Sequence, residues 1–273
     1  IFPSHKDYSL GFRDDQVEWL RQDLSYVSKD KMVILCVHIP MRASGNQNVQ
    51  AVFELLKPFA EVHVMSGHTH YAENNVYDSH YEHVHGAACG AWWNSTINVD
   101  GTPNGYAIYN IKGATITDWV YKGTGLDAQQ QIRLYRANDI FMRDYSKNYQ
   151  FYYKGDDQIV ANVWNADKDW KIEVYENGIK TGEMTHFDYT GNEKDKSWDA
   201  WALGYHIGVV GKAELDSNKK PTSYYQRNVR HLYYYTLQSS TASVEVRATD
   251  KFGQTYSQSK FTTGLAEDFP VGE

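Results

Sequence analysis

The chain is poor in cysteine. Cys36 and Cys89 are the only two in 273 residues; each sits in an apolar stretch and neither belongs to a CxxC pair. A disulfide framework is thereby excluded, and two buried free thiols are expected. Only 6 prolines occur, against 41% apolar residues, which excludes a disordered chain. No internal repeat and no low-complexity tract is found. No run of about 18 apolar residues is present, so the chain as given contains no transmembrane helix. It opens at Ile1 without a methionine and without a charged-then-apolar leader. A leader encoded upstream is therefore expected to be missing from it. Basic clusters are lacking as well. Lys and Arg are scattered in a chain of formal charge −7, which argues against a nucleic-acid or anionic-lipid surface.

Aromatic side chains are what the sequence has in excess. The 22 Tyr, 8 Trp and 10 Phe make up 15% of the residues, a composition suited to pleated, half-buried β-surfaces or to stacking on sugar rings. At 31.4 kDa there is room for two domains.

Hydrophobic periodicity divides the chain near Gly123-Thr124-Gly125. Residues 1–124 read as α/β. An acidic first turn at Asp14 and Asp15 precedes Val17, Trp19, Leu20, Leu24 and Val27 at roughly helical spacing. Met32 to Val37 form a continuous apolar run of the kind buried on both faces of a parallel sheet. A second helix is expected from Val49 to Phe59, then a short strand at Val62 to Met65. Short strands run from Tyr81 to about Val120. Residues 125–273 read as all-β, with strands at 150–153, 159–164, 172–175, 232–237 and 244–248. A hairpin is expected at Asn177-Gly178 and a weaker one at Asp250 to Gly253. The stretches 191–198 and 211–221 read as loops. The expectation is a partial α/β sandwich followed by an all-β, sandwich-like domain.

Three histidines stand where such a sheet places ligands. His38 ends one apolar strand, and His68 and His70 follow the next, so all three emerge at the carboxyl ends of neighbouring strands. Neutral imidazole suits zinc, iron or manganese, and Gly67 lets the backbone turn. His80, His83 and His85 lie in a further strand, where a solvated face is the expectation and contact of His85 with substrate the alternative. Arg42, four residues beyond His38, has a guanidinium that matches phosphate geometry.

Asp15-Gln16-Val17-Glu18-Trp19-Leu20, then Val37-His38-Ile39-Pro40, then Ser66-Gly67-His68-Thr69-His70 resemble the second half of the calcineurin-like metallophosphoesterase superfamily. Gly86-Ala87-Ala88-Cys89-Gly90-Ala91-Trp92-Trp93 and the β-rich tail resemble a bacterial branch with an appended carboxy-terminal domain. The resemblance implies a β-sandwich flanked by helices and two divalent ions bridged by a carboxylate and a hydroxide. His38 and His68 would ligate one ion and His70 the other, and hydroxide would attack a phosphoester substrate. Zn, Fe, Mn and Mg all remain open. No residue is assigned as catalytic. The family also needs an upstream Asp-x-His, Gly-Asp and Gly-Asn-His, and none precedes His38. Asp78-Ser79-His80, Gly155-Asp156 and Gly191-Asn192 stand in the wrong order. This chain is therefore expected to be a fragment, inactive alone, of a longer hydrolase placed in the periplasm or cell envelope. The alternative is a non-catalytic carbohydrate- or envelope-binding module that stacks sugars on Trp164, Trp170, Trp198 and Trp201.

Overall fold

A computed structural model describes residues 11–41, 46–93, 95–138, 157–187, 198–210 and 228–264. Among these, three helices and fourteen strands form three four-stranded sheets and one two-stranded ribbon.

The first sheet holds β1 (Met32–Cys36), β2 (Glu61–Ser66), β3 (Glu73–Val76) and β4 (Tyr81–Val84), in the order β1-β2-β4-β3. The first three neighbours are parallel, and β3 closes the edge antiparallel to β4. Helices α1 (Asp14–Ser25) and α2 (Val49–Leu56) cover one face. Val17, Leu20 and Leu24 of α1 and Val52 and Leu56 of α2 share a core with Val62 and Val64 of β2. Each such side chain, fully buried, contributes about 1.5–3 kcal/mol. Alternation along β2 and β4 sends His63, Met65, Tyr81 and His83 to the opposite face. There they meet Trp119 and Tyr109 of a ribbon formed by β5 (Gly105–Lys112) and β6 (Thr115–Gly123).

This corrects the expected α/β class. Parallel pairing is confined to β1, β2 and β4, a single helix joins β1 to β2, and the far face is covered by strands. No α/β sandwich forms, and the described chain is predominantly antiparallel β. The apolar run at β1, read as buried on both faces, is an edge strand with four half-buried residues and an exposed Cys36. Cys89 is half-buried, so neither thiol is enclosed as expected.

The later strands are β7 (Ile132–Arg136), β8 (Gln158–Val163), β9 (Lys171–Glu176), β10 (Ile179–Glu183), β11 (Thr185–His186), β12 (Leu232–Thr236), β13 (Val244–Thr249) and β14 (Thr255–Gln258). They form two antiparallel sheets, β11-β12-β8-β7 and β10-β9-β13-β14. Leu134, Ala161 and Val163 from one share a core with Val174, Val246 and Tyr256 from the other. The β9–β10 hairpin turns at Asn177 (φ 52°) and Gly178 (φ 80°), the two positive angles its sequence requires. The expected strand at 150–153 and the loops at 191–197 and 211–221 lie outside the described residues.

One helix escaped the sequence reading. Helix α3 (Ala200–Gly208) is capped by Asp199, whose side chain accepts the Ala202 N–H, and seven of its nine residues are buried. A helix apolar all round shows no stripe for periodicity to detect. It packs on Tyr135, Val160 and Leu232. Trp164, Trp170, Trp198 and Trp201 are all at most 8% exposed, which removes the stacking face on which the carbohydrate-module alternative stood.

Several contacts join the first sheet to the later strands. The Tyr81 hydroxyl donates to Asp167, Asn74 Nδ2 donates to the Asn165 carbonyl at 2.9 Å, and Lys251 Nζ lies 4.7 Å from the centre of the Tyr81 ring. No helix among the described residues is long and apolar enough to cross a membrane.

Candidate metal centre

Ladder bonds carry the parallel pairing of β1 and β2 past the strand ends. Val37 N–H donates to Met65 O at 2.9 Å and Gly67 N–H to His38 O at 3.1 Å. His38 and His68 therefore leave the sheet side by side, with His38 Nε2 3.1 Å from His68 Nδ1 and the rings edge to face at 4.9 Å. His68 takes a left-handed backbone (φ 69°), as does His70 (φ 54°). Non-glycine residues rarely adopt this geometry, and it aims both side chains away from the strand direction. Partial burial, then the neighbouring His38 and His70 rings, hold the His68 imidazole below its ordinary pKa and so favour the neutral form that binds metals.

His70 is set differently. Its Nδ1 lies 2.7 Å from the Gly90 carbonyl oxygen, so Nδ1 carries the proton, donates it there, and leaves the Nε2 lone pair available. Its ring rests against Trp93 at 5.2 Å and Trp92 at 5.8 Å. An open cleft runs beside His38, bordered by Phe12, Gln16, Pro40 and Met41.

Two residues the sequence reading missed hold this edge in place. Glu82, fully buried on β4, accepts the Met41 N–H at 2.6 Å and so fixes the loop that follows His38. Gly90 (φ 68°) presents the carbonyl that orients His70, and a Cβ there would lie 2.0 Å from Ser95 O. A buried glutamate with no charged motif around it reads as an ordinary strand residue. A glycine signals a turn without saying which side chain its carbonyl meets.

The other singled-out side chains separate. Arg42 lies outside the described residues. His85 is half-buried, with Nδ1 3.0 Å from Ser66 O and Nε2 2.8 Å from the Tyr109 hydroxyl, and burial lowers its pKa despite the Ser66 hydrogen bond. His83 is 1% exposed, which corrects the solvated face expected for this strand. Its Nε2 lies 2.9 Å from His63 Nδ1, and its Nδ1 donates to Asn74 Oδ1 at 3.1 Å. His80 stacks on Phe53 and Tyr77.

Imidazole donors of this kind fit a borderline divalent ion in type, and the His70 tautomer is already the ligating one. Their number falls short. Among the described residues no group of three or more His, Cys, Asp or Glu side chains is gathered closely enough to hold a metal. Among the described residues no carboxylate joins the three rings.

The architecture is that of a β-rich protein with histidines at the carboxyl ends of the parallel strands of a small mixed sheet. Residues 82–256 match the model of the C terminal of calcineurin-like phosphoesterases, and over this span, more than half its length, the chain belongs to that family. The match takes in the Gly90 turn, the β5–β6 ribbon and the antiparallel sheets, while His38, His68 and His70 precede it. No curated protein matches the chain.

Proposed function

We propose that this chain supplies the histidine side of a metal-dependent phosphoester hydrolase, with His38, His68 and His70 as ligands for two divalent ions. The observation that carries the reading is the His70 hydrogen bond to Gly90 O, which prepares Nε2 for an ion. His38 and His68 support it, since two ring nitrogens 3.1 Å apart are near enough to share one ion after a small rotation. Divalent ions at such a site supply Lewis acidity, placing positive charge against the phosphoryl oxygens and lowering the pKa of water. The protein residues bind and orient. Glu82 steadies the His38 loop, Gly90 fixes the His70 tautomer, and Arg42 and His85 are the residues proposed to meet substrate.

The donor shortage makes a further part of the proposal. The carboxylate and amide ligands of the family come from chain outside the described residues, so the residues described here have weak metal affinity and little activity by themselves. Residues 1–124 carry the histidines, and residues 125–273 form the companion domain.

Calorimetric titration with Zn²⁺ and Mn²⁺ tests the ligand assignment. His38→Ala, His68→Ala and His70→Ala are each expected to weaken binding at least tenfold, while His80→Ala leaves it unchanged. Hydrolysis of an aryl phosphate and a bis-aryl phosphate by a longer chain, with and without chelator, tests the activity. A longer chain inert in both assays, or metal binding indifferent to all three substitutions, would sink the reading.

A further inference from the structure

Trp92 and Trp93 stand beside the candidate metal centre with 49% and 68% of their surfaces exposed. Each has a left-handed backbone, φ 47° and φ 60°, in a region that bulky residues seldom occupy. Consecutive residues held this way indicate a turn whose surroundings over-determine it.

The turn is well anchored. Ala91, next to the indoles, is 1% exposed and donates its N–H to Ile97 O at 3.0 Å. Gly90 N–H donates to Ala87 O, and Asn104 Nδ2 donates to Ser95 O at 3.0 Å. Asn98 Oδ1 accepts the Ala87 N–H at 2.8 Å. The indoles are exposed because a fixed backbone presents them, and presentation of side chains on a rigid scaffold is how binding loops work.

Their disposition narrows what they hold. The two ring centroids are 6.0 Å apart and inclined at 51°, too close and too tilted for a third ring to slip between them. A ligand ring would lie on an outer indole face. His70, with its ring 5.2 Å from Trp93 and 5.8 Å from Trp92, puts the indoles directly beside a proposed metal ligand.

The geometry points to Trp92 and Trp93 as the specificity element of the site, a platform for the flat face of a ring in the alcohol portion of the phosphoester. This rests on the phosphoesterase reading above for the phosphorus and on the indoles alone for the ring. Aryl, nucleoside and hexose phosphates share the required chemistry, and a linear alkyl phosphate lacks it. Stacking on an aromatic platform changes affinity by roughly tenfold per ring.

The test uses the chain labelled with 5-fluorotryptophan, with the resonances of the two indoles assigned through Trp92→Phe and Trp93→Phe. Phenyl phosphate, a nucleoside monophosphate and glucose 6-phosphate are titrated against glycerol phosphate, and phenol, the nucleoside and methyl glucoside are titrated as phosphate-free rings. At least one ring-bearing series is expected to shift the Trp92 or Trp93 resonance at about tenfold lower concentration than glycerol phosphate. In calorimetric titrations of the unlabelled chain, Trp92→Ala combined with Trp93→Ala is expected to erase that advantage, and Trp92→Phe combined with Trp93→Phe, which keeps a ring at each position, to retain most of it. Equal responses to ring-bearing and ring-free phosphates overturn the inference, as do shifts produced by phosphatidylglycerol vesicles and by no ring ligand. Shifts with phosphate-free rings, alongside no metal binding, would uphold the platform while removing the hydrolase reading.

Discussion

The Nδ1 hydrogen of His70 points at the carbonyl oxygen of Gly90, 2.7 Å away. A backbone acceptor fixes both the tautomer and the ring plane, and it can do so only while the turn keeps its shape. That shape depends on glycine, since φ is 68° and a Cβ would meet Ser95 O at 2.0 Å and Asn104 Oδ1 at 2.6 Å. Gly90→Ala is therefore expected to cost at least the ~1–2 kcal/mol of a left-handed non-glycine residue. It should also weaken metal binding by about ten- to a hundredfold through misorientation of His70. Thermal melting and calorimetric Zn²⁺ titration read the two effects separately. A folded variant with unchanged zinc affinity would show that Gly90 O does not prepare His70.

Glu82 makes a comparable prediction on the other side of the centre. Its buried side chain accepts the Met41 N–H at 2.6 Å, a short hydrogen bond. Glu82→Leu leaves that N–H without its acceptor in an apolar surrounding, at a cost of about 1–3 kcal/mol. Because the loop runs directly into His38, amide hydrogen exchange at Ile39 and Met41 should rise along with the loss of stability. Exchange that stays slow at both positions would disconnect Glu82 from the loop.

Acid should loosen the fold well before carboxylates titrate. Burial, then repulsion from His63, His85 and Lys251, lowers the His83 pKa to about 2, and burial lowers that of His206 to about 4 despite its hydrogen bonds. In the unfolded chain both recover a value of about 6.5. The unfolded state therefore binds more protons below that pH, and stability falls as pH falls. The His206 contribution is lost between about 6.5 and 4, and the His83 contribution continues to fall towards 2. Each group supplies a slope of up to about 1.4 kcal/mol per pH unit. Urea midpoints should be level above pH 7 and decline below 6.5. Midpoints that hold level down to pH 4.5 would mean that neither ring stays neutral in the fold.

Periodicity carried the elements whose surroundings it encodes. The amphipathic stripes of α1 and α2, the Asn177-Gly178 turn and the placement of His38 beside His68 were all legible, because a half-covered helix, a positive-φ pair and a strand end leave local marks. What covers a sheet is not local. The strand-bearing far face of the first sheet depends on Trp119 and Tyr109, which lie more than twenty residues beyond β4. The same reason hid α3, apolar on every side, and the buried state of His63 and His83. Gly90 was visible as a residue of a family-like stretch, yet its carbonyl acts through space on His70.

Asp100 and His231 are 131 residues apart in sequence and tie the loop beyond the Trp92-Trp93 turn to the start of β12. Burial alone would raise the Asp100 carboxyl. The hydrogen bond and charge of His231, then the Ala72 N–H and the Thr102 hydroxyl, outweigh it and hold the group below the usual carboxylate range. The His231 ring is held between Asp100 Oδ2 at 3.1 Å and Asn162 Oδ1 at 2.8 Å. Asn162 in turn donates to Asp100 O at 2.7 Å and to Asp199 Oδ2 at 2.5 Å, which leaves its Oδ1 as the acceptor. Removing one member of such a pair strands the other charge in the interior, at a cost of about 3–5 kcal/mol. Removing both strands neither. Asp100→Asn and His231→Leu should each lose that much by guanidinium unfolding, and the double variant should lose little more than either alone. The lowered Asp100 pKa adds a sign that can be read separately: its contribution is present above the ordinary carboxylate value and is lost as pH falls through the folded one. It therefore appears as extra acid sensitivity below about pH 4, which Asp100→Asn abolishes. Strictly additive losses in the two single variants would mean that the two side chains are buried near one another without forming a pair.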